Sequence, residues 1–216
     1  MNKLLLWMGV FALLTTSWAQ QQEASQTDST DGWIRLFDGE SLDGWKASER
    51  EGTFSVEDGK IVVHGKRSHL YYVGPVQNAN FKNFEFKADV YTLPGSNSGI
   101  YFHTEFQEGG WPAKGYEVQV NNSHSDWRRT GSLYNVVNLR EVPSKDNEWF
   151  TQHIIVRDNH IVVKIDGETV IDYNEPENVN YEGMPGRKIS SGTFCLQGHD
   201  PKSIVHFKNI RVKPLP

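Results

Sequence analysis

Phe84-Glu85-Phe86-Lys87-Ala88-Asp89-Val90 alternates apolar and charged residues without a break. Side chains of an extended chain change face at every residue, so this run reads as a strand with one buried and one wet face. Segments of the same period recur along the chain, whereas hardly any stretch carries the helical period. Residues 33–37 read as an opening strand, and Ser41-Leu42-Asp43-Gly44-Trp45 as a turn-rich corner with a buried Trp. Asp58-Gly59 separates Phe54-Ser55-Val56 from Ile61-Val62-Val63, and Asp158-Asn159 separates two runs rich in Ile and Val. Asp166-Gly167 precedes Thr169-Val170-Ile171. These pairs tolerate positive φ and predict tight hairpins. Further strands are expected at 100–103, 116–120, 193–197, 204–207 and 210–212, and a helix only at 175–181. Many short strands with turn chemistry between them predict an all-β fold, a sandwich or a barrel.

The first nineteen residues have a different character. Met1-Asn2-Lys3 gives a basic start, residues 4–14 are apolar but too few to span a bilayer, and Ser17-Trp18-Ala19 supplies small residues at a cleavage position. We expect residues 1–19 to be a signal peptide, with periplasmic or secreted localisation and no membrane partner after cleavage. Residues 20–31 hold no large apolar side chain and read as a flexible leader. Residues 32–216 then form one domain. The full chain carries a formal charge of −5, and loss of Lys3 makes the mature form one unit more acidic, which argues against nucleic acid as a partner. Cys195 is the sole cysteine, so the domain relies on its core without an internal disulfide, and cysteine metal motifs are excluded.

Three of the expected strands bring chemistry. Tyr101, His103 and Glu105 alternate against Ile100 and Phe102; Glu117, Gln119 and Asn121 against Val118 and Val120; Cys195, Gln197 and His199 against Phe194 and Leu196. If the strands are neighbours, one sheet face is lined by carboxylate, amide, imidazole and phenol groups. Planar hydrogen-bonding groups with aromatics suit a sugar. Glu117 is the leading acid or base, because burial or a second charge can bring a carboxyl pKa toward neutrality. A solvated or salt-bridged Glu would look the same in sequence. His199, in Gln197-Gly198-His199-Asp200, is the second acid–base candidate, or else a loop imidazole bonded to Asp200. Two imidazoles and a carboxylate also suit a divalent metal, and His103, Glu117 and His199 are the set for it, although no local metal motif supports them. Longer connections fall within 110–122 and 123–147. Trp111, Trp127 and Tyr134 there either stack on sugar rings or clamp loops to the core. Arg128, Arg129 and Arg140 either orient a ligand or are solvated. Asn121-Asn122-Ser123 matches a glycosylation acceptor.

A set of ordered motifs adds a resemblance. Leu36-Phe37-Asp38-Gly39 with Leu42-Asp43-Gly44-Trp45, Phe81-Lys82-Asn83-Phe84-Glu85, Asn97-Ser98-Gly99-Ile100-Tyr101-Phe102, Gly115-Tyr116-Glu117-Val118-Gln119, Thr130-Gly131-Ser132-Leu133-Tyr134 and Phe207-Lys208-Asn209-Ile210-Arg211 stand in an order and spacing that resembles the 3-keto-disaccharide hydrolase family. The resemblance implies a concanavalin A-like jelly-roll β-sandwich. It also implies an enzyme cleaving 3-keto-glycosides by elimination across C1–C2 and hydration, with a carbohydrate substrate that a preceding sugar oxidase would supply. In that reading Glu117 faces the sugar, Asn97 and Tyr101 line the pocket, Gln119 binds hydroxyls, and His199 is base or metal ligand. His103 and Asn121 are departures, standing where many relatives carry Arg and Asp. We take Glu117 and His199 as catalytic, and Asn97, Tyr101, His103, Gln119, Trp127, Tyr134 and Gln197 as substrate-binding. The alternative is a non-catalytic carbohydrate-binding module of the same fold.

Overall fold

The computed structural model describes residues 31–216, so the expected signal peptide and nearly all of the leader lie outside the described residues. Thirteen strands follow one another: β1 (Ile34–Arg35), β2 (Trp45–Ala47), β3 (Phe54–Glu57), β4 (Lys60–His64), β5 (Ser68–Tyr72), β6 (Phe84–Thr92), β7 (Ser98–Thr104), β8 (Tyr116–Val120), β9 (Trp149–Arg157), β10 (His160–Ile165), β11 (Glu168–Asn174), β12 (Thr193–Gly198) and β13 (Ile204–Pro214). All pairings between them are antiparallel. The larger sheet runs β11-β10-β9-β6-β13-β4-β3, with β1 also paired to β13; the smaller runs β2-β5-β12-β7-β8. Face-to-face packing of the two makes a jelly-roll β-sandwich.

The alternation of β6 is realised residue by residue. Phe84, Phe86, Ala88, Val90 and Thr92 are buried, and the residues between them face outward. Across the core they meet Phe102 and Phe194 of the smaller sheet, with Phe84 and Phe86 rings 4.8 and 4.6 Å from Phe194. Burying such side chains contributes roughly 1.5–3 kcal/mol each, and this supplies the cohesion that a disulfide would otherwise reinforce. The hairpins form at the expected turns. Asp58 and Gly59 sit at φ 48° and 76°, and Asp166 and Gly167 at 49° and 86°. Asp158, at φ 54°, turns β9 into β10. Trp45 is buried, its indole donating to the Leu36 carbonyl at 2.8 Å.

Two sequence expectations are overturned. The opening strand is two residues, not five, because Leu36 and Phe37 turn in to the core. No helix forms at 175–181, nor any α-helix among the described residues. Instead Glu175 is tied by its side chain, accepting from the Tyr116 hydroxyl and from the Ile189 N–H, and Asn178 takes φ 59°.

A third change concerns His103, which does not join the polar face of β7. Thr193 pairs with Thr104 and Cys195 with Tyr101, so Phe102 and His103 together oppose one residue of β12. This β-bulge, with His103 at φ 56°, takes its side chain away from the face of Tyr101. The imidazole is buried against Phe84 and Phe102, its Nε2 2.8 Å from the Lys82 carbonyl and its Nδ1 accepting from Ser190 N–H.

Burial holds the His103 pKa down at about 4, and does the same to His69. In the unfolded chain each titrates near 6.5, so the unfolded state binds more protons between these limits and stability falls as pH drops through them. Each carries on the order of 3 kcal/mol across that window. His103→Asn keeps a residue tolerant of positive φ and removes one titrating group. We expect the loss of melting temperature between pH 7 and pH 4.5 to shrink by roughly 5 °C in this variant; an unchanged loss, read by calorimetry, would contradict the assignment.

Candidate active site

β7 lies between β8 and β12, as the sequence reading required. Ile100, Phe102, Val118, Val120, Phe194 and Leu196 point into the core. The other face of these strands carries the polar set, and it is not wet: every residue of β8 and β12 is buried. Loops close over it, leaving a cavity of about 520 Å³. Asn97, Tyr101, Glu117, Gln119, Tyr134, Gln197 and His199 line it, so seven of the nine expected site residues are brought together.

Glu117 is at the centre, 4% exposed. Its Oε2 accepts from the Tyr101 hydroxyl at 2.8 Å and its Oε1 from Gln197 Nε2 at 2.8 Å. The Gln119 amide is placed with its NH2 toward the same carboxylate, 3.3 Å from Oε1 and 3.2 Å from the Ser98 carbonyl, because the opposite orientation leaves its oxygen facing only acceptors. Space for the carboxylate comes from Gly99, across the ladder from Gln119. A Cβ at Gly99 would lie 2.5 Å from Glu117 Oε1, so only glycine fits beneath it. Burial raises the Glu117 pKa; the Tyr101 hydroxyl, the Arg187 charge and the Gln197 amide oppose that rise without cancelling it.

Sequence reading missed Arg187. It reaches the cavity from the loop between β11 and β12, is 8% exposed, and donates to the Tyr134 carbonyl. A lone Arg in a segment without periodicity carries no signal of this. Trp111, Pro112 and Ala113 form another wall, with the Trp111 ring 5.5 Å from that of His199.

His199 Nδ1 lies 2.8 Å from Asp200 Oδ2, which leaves Nε2 as the nitrogen free for chemistry. Burial works against the Asp200 charge, but His199, the Lys202 N–H and the Ser203 hydroxyl outweigh it and hold the carboxyl pKa at about 2. His124 stands beside His199, ring centroids 5.6 Å apart, and its pKa is lowered by burial and by that neighbour. One ligand atom each from His124, His199 and Asp200 lie within 4.8 Å of one another, a set that suits a divalent ion. This replaces the expected set: His103 is on the far side of the bulge and Glu117 is not in the cluster.

Trp127 is likewise outside the cavity wall. Its ring is 39% exposed, with the Arg128 and Arg140 guanidiniums 4.9 and 4.4 Å from its centroid. Arg128 pairs with Asp126 at 3.0 Å, and Arg129 donates to the His124 and Asp126 carbonyls. Asn121, first residue of the glycosylation match, is buried, with its amide donating to two carbonyls at 2.8 Å. Glu105 is exposed beside Lys114, 3.4 Å away.

The balance at Glu117 can be measured. We expect its carboxyl to titrate above the ordinary glutamate value of 4.5 when followed by carbon-13 NMR. Tyr101→Phe removes a donor that favours the charged form, and so moves the midpoint further up. A midpoint at or below 4.5, or a downward move in the variant, would contradict this account.

The family model of the 3-keto-alpha-glucoside-1,2-lyase-like domain matches residues 32–213. A curated relative, the 3-keto-disaccharide hydrolase of Bacteroides thetaiotaomicron, is 24% identical over 94% of this chain and 87% of its own length. Among solved structures, a protein of Parabacteroides distasonis with the provisional name glycosyl hydrolase superposes with a TM-score of 0.73 at 26% identity, covering 91% of this chain and 97% of that one. The carbohydrate-binding module CBM66 of Bacillus subtilis shares the fold at a TM-score of 0.57 and 13% identity, covering 79% of this chain and 95% of that one.

Proposed function

The chain belongs to the 3-keto-alpha-glucoside-1,2-lyase-like family, and on that premise we propose that it is an exported enzyme that cleaves 3-keto-glycosides by elimination and hydration. The observation that carries the reading is a buried carboxyl with a raised pKa in the same cavity as an Asp-oriented imidazole and a guanidinium. Acid, base and anion-stabilising group are the three parts this reaction needs.

A keto group at C3 acidifies the proton at C2. His199 Nε2 takes that proton, while the Asp200 carboxylate fixes the imidazole and stabilises its charged form. The electron pair moves onto the C3 oxygen, where the Arg187 guanidinium stabilises the enolate. The carbonyl then reforms, the C1–C2 double bond forms and the C1–oxygen bond breaks. Glu117 gives its proton to the departing oxygen. Water next adds across the double bond: its hydroxyl joins C1 as Glu117 takes the other hydrogen, and His199 returns a proton to C2. The net change is hydrolysis, with both groups restored.

Export rests on the pattern of residues 1–19, and a single mature domain on the unbroken family match. The substrate must come from a reaction that oxidises a sugar at C3, so an oxidoreductase of that class acts first.

The test is release of leaving group from a 3-keto-glucoside, beside the unoxidised glucoside. We expect turnover of the keto substrate alone, with Glu117→Gln slower by about 10²–10⁴-fold. Gly99→Ala should also lose activity, since the methyl displaces the carboxylate without altering any reacting group. Binding without turnover would move the protein to the carbohydrate-binding modules. Loss on chelation, restored by a divalent ion, would reassign His199 from base to metal ligand.

A further inference from the structure

The outer face of the larger sheet carries a row of basic groups. Arg211 of β13 pairs with Lys87 of β6, Lys87 with His153 of β9, and His153 with Lys164 of β10. Arg35 of β1 pairs with Arg211 at one end. Their neighbours along the strands, such as Phe86, Ala88, Ile154, Val163 and Val212, are in the core, so the row points outward. It runs across the strands, which lie about 4.8 Å apart, and Lys164 is three such spacings from Arg211.

Like charges set directly opposite one another weaken a sheet. This row gathers them on a chain whose formal charge is −5. Among the described residues no carboxylate comes within ion-pair distance of Lys87, Lys164 or Arg211. The two acids that flank Lys87 on its own face of β6 are engaged elsewhere. Glu85 lies 2.9 Å from His153 Nε2, and Asp89 accepts from the Thr151 hydroxyl and the Asn209 amide. Lys213 and Lys208 stand opposite those acids and match them charge for charge, so the row stays in excess. His153 registers that excess: burial first, then the charges of Lys87 and Lys164, hold its pKa at about 4 against the pull of Glu85.

Trp33 lies on the row. Its ring is 4.6 Å from the Lys87 ammonium, 5.4 Å from the Arg211 guanidinium and edge-on to His153 at 6.0 Å. Cations at strand spacing beside an indole fit a linear polyanion built of sugars. A pyranose in an extended chain advances by about one strand spacing, and its apolar face stacks on an aromatic ring. The indole lies among the cations on the sheet surface, not on a projecting tip that could enter a bilayer. A nucleic acid, with its denser charge, would meet the net negative charge of the chain more strongly.

We propose that this row, with Trp33, binds an acidic polysaccharide that bears an anionic group on each sugar, such as a polyuronate, and holds the protein on it. The surface belongs to the sheet opposite the one that bears Glu117, and the inference does not depend on the reaction assigned there.

The experiment measures binding of the mature protein to polygalacturonate by calorimetry, beside neutral dextran and phosphatidylglycerol vesicles. We expect binding to polygalacturonate alone, weakened by added salt. Lys87→Gln/Lys164→Gln should weaken it by about fivefold or more. Trp33→Ala should weaken it with the salt dependence unchanged. Lys66→Gln/Lys145→Gln removes as much charge from exposed positions elsewhere, and should leave the affinity within about twofold of the parent's. The row variant loses like charges and no ion pair, so it should melt no lower than the parent, which separates lost binding from lost folding. No binding to polygalacturonate, equal losses in the two double variants, unchanged binding in Trp33→Ala, or equal retention of dextran would overturn the proposal. So would binding to the vesicles in place of the polysaccharide, which would make this face a membrane surface.

Discussion

A carboxyl group withdrawn from water must find donors within the protein, and much of the smaller sheet is arranged around that need at Glu117. Its two oxygens face Tyr101 from β7 and Gln197 from β12, and Gln119 of its own strand stands beside them. These groups converge only because β7 is central to the trio and carries glycine at the one position where a side chain would occupy the carboxylate's place. The loops bearing Trp111, Tyr134 and Arg187 complete the enclosure. Desolvation and the opposing donors set the proton affinity together, so the acidity of this one group depends on three strands and three loops at once.

The two sheets divide the work. The larger alternates along its central strands, with one face in the core and the other outward, as β6 and β9 show. The smaller is buried on both faces, by the larger sheet on one side and by loops on the other. Stability comes mostly from the apolar side of both, while the covered polar side of the smaller sheet carries the groups that line the cavity.

This division explains what could be read from the sequence. Period two and positive-φ turn pairs are local properties, and the strands, the hairpins and the buried Trp45 followed from them. Adjacency of the strands bearing Tyr101, Glu117 and Gln197 is not local, yet alternation placed their polar residues on a common side, and ladder pairing did the rest. His103 broke the pattern because one extra residue in β7 reverses the face of everything it displaces. Arg187 escaped because it lies seventy residues from Glu117 in a loop with no period. Trp127 stands outside the cavity lining because its ring turns to two arginines of its own loop, a choice of partner that residue type alone does not encode.

The order of strands in space has a consequence for how the molecule is made. β12 and β13 are the last two strands in the chain, yet β12 lies between β5 and β7 in one sheet and β13 between β6 and β4 in the other. A ribosome releasing this chain from its amino end delivers the middle of each sheet after most of its margins. Until residues 193–214 emerge, β5 and β7 have no common neighbour, nor do β4 and β6, and their edges stay open. Neither sheet can be completed before those residues arrive. Hairpins such as β3-β4 and β7-β8 and the block β6-β9-β10-β11 can pair before that point, but completion of both sheets waits on one late, long-range step.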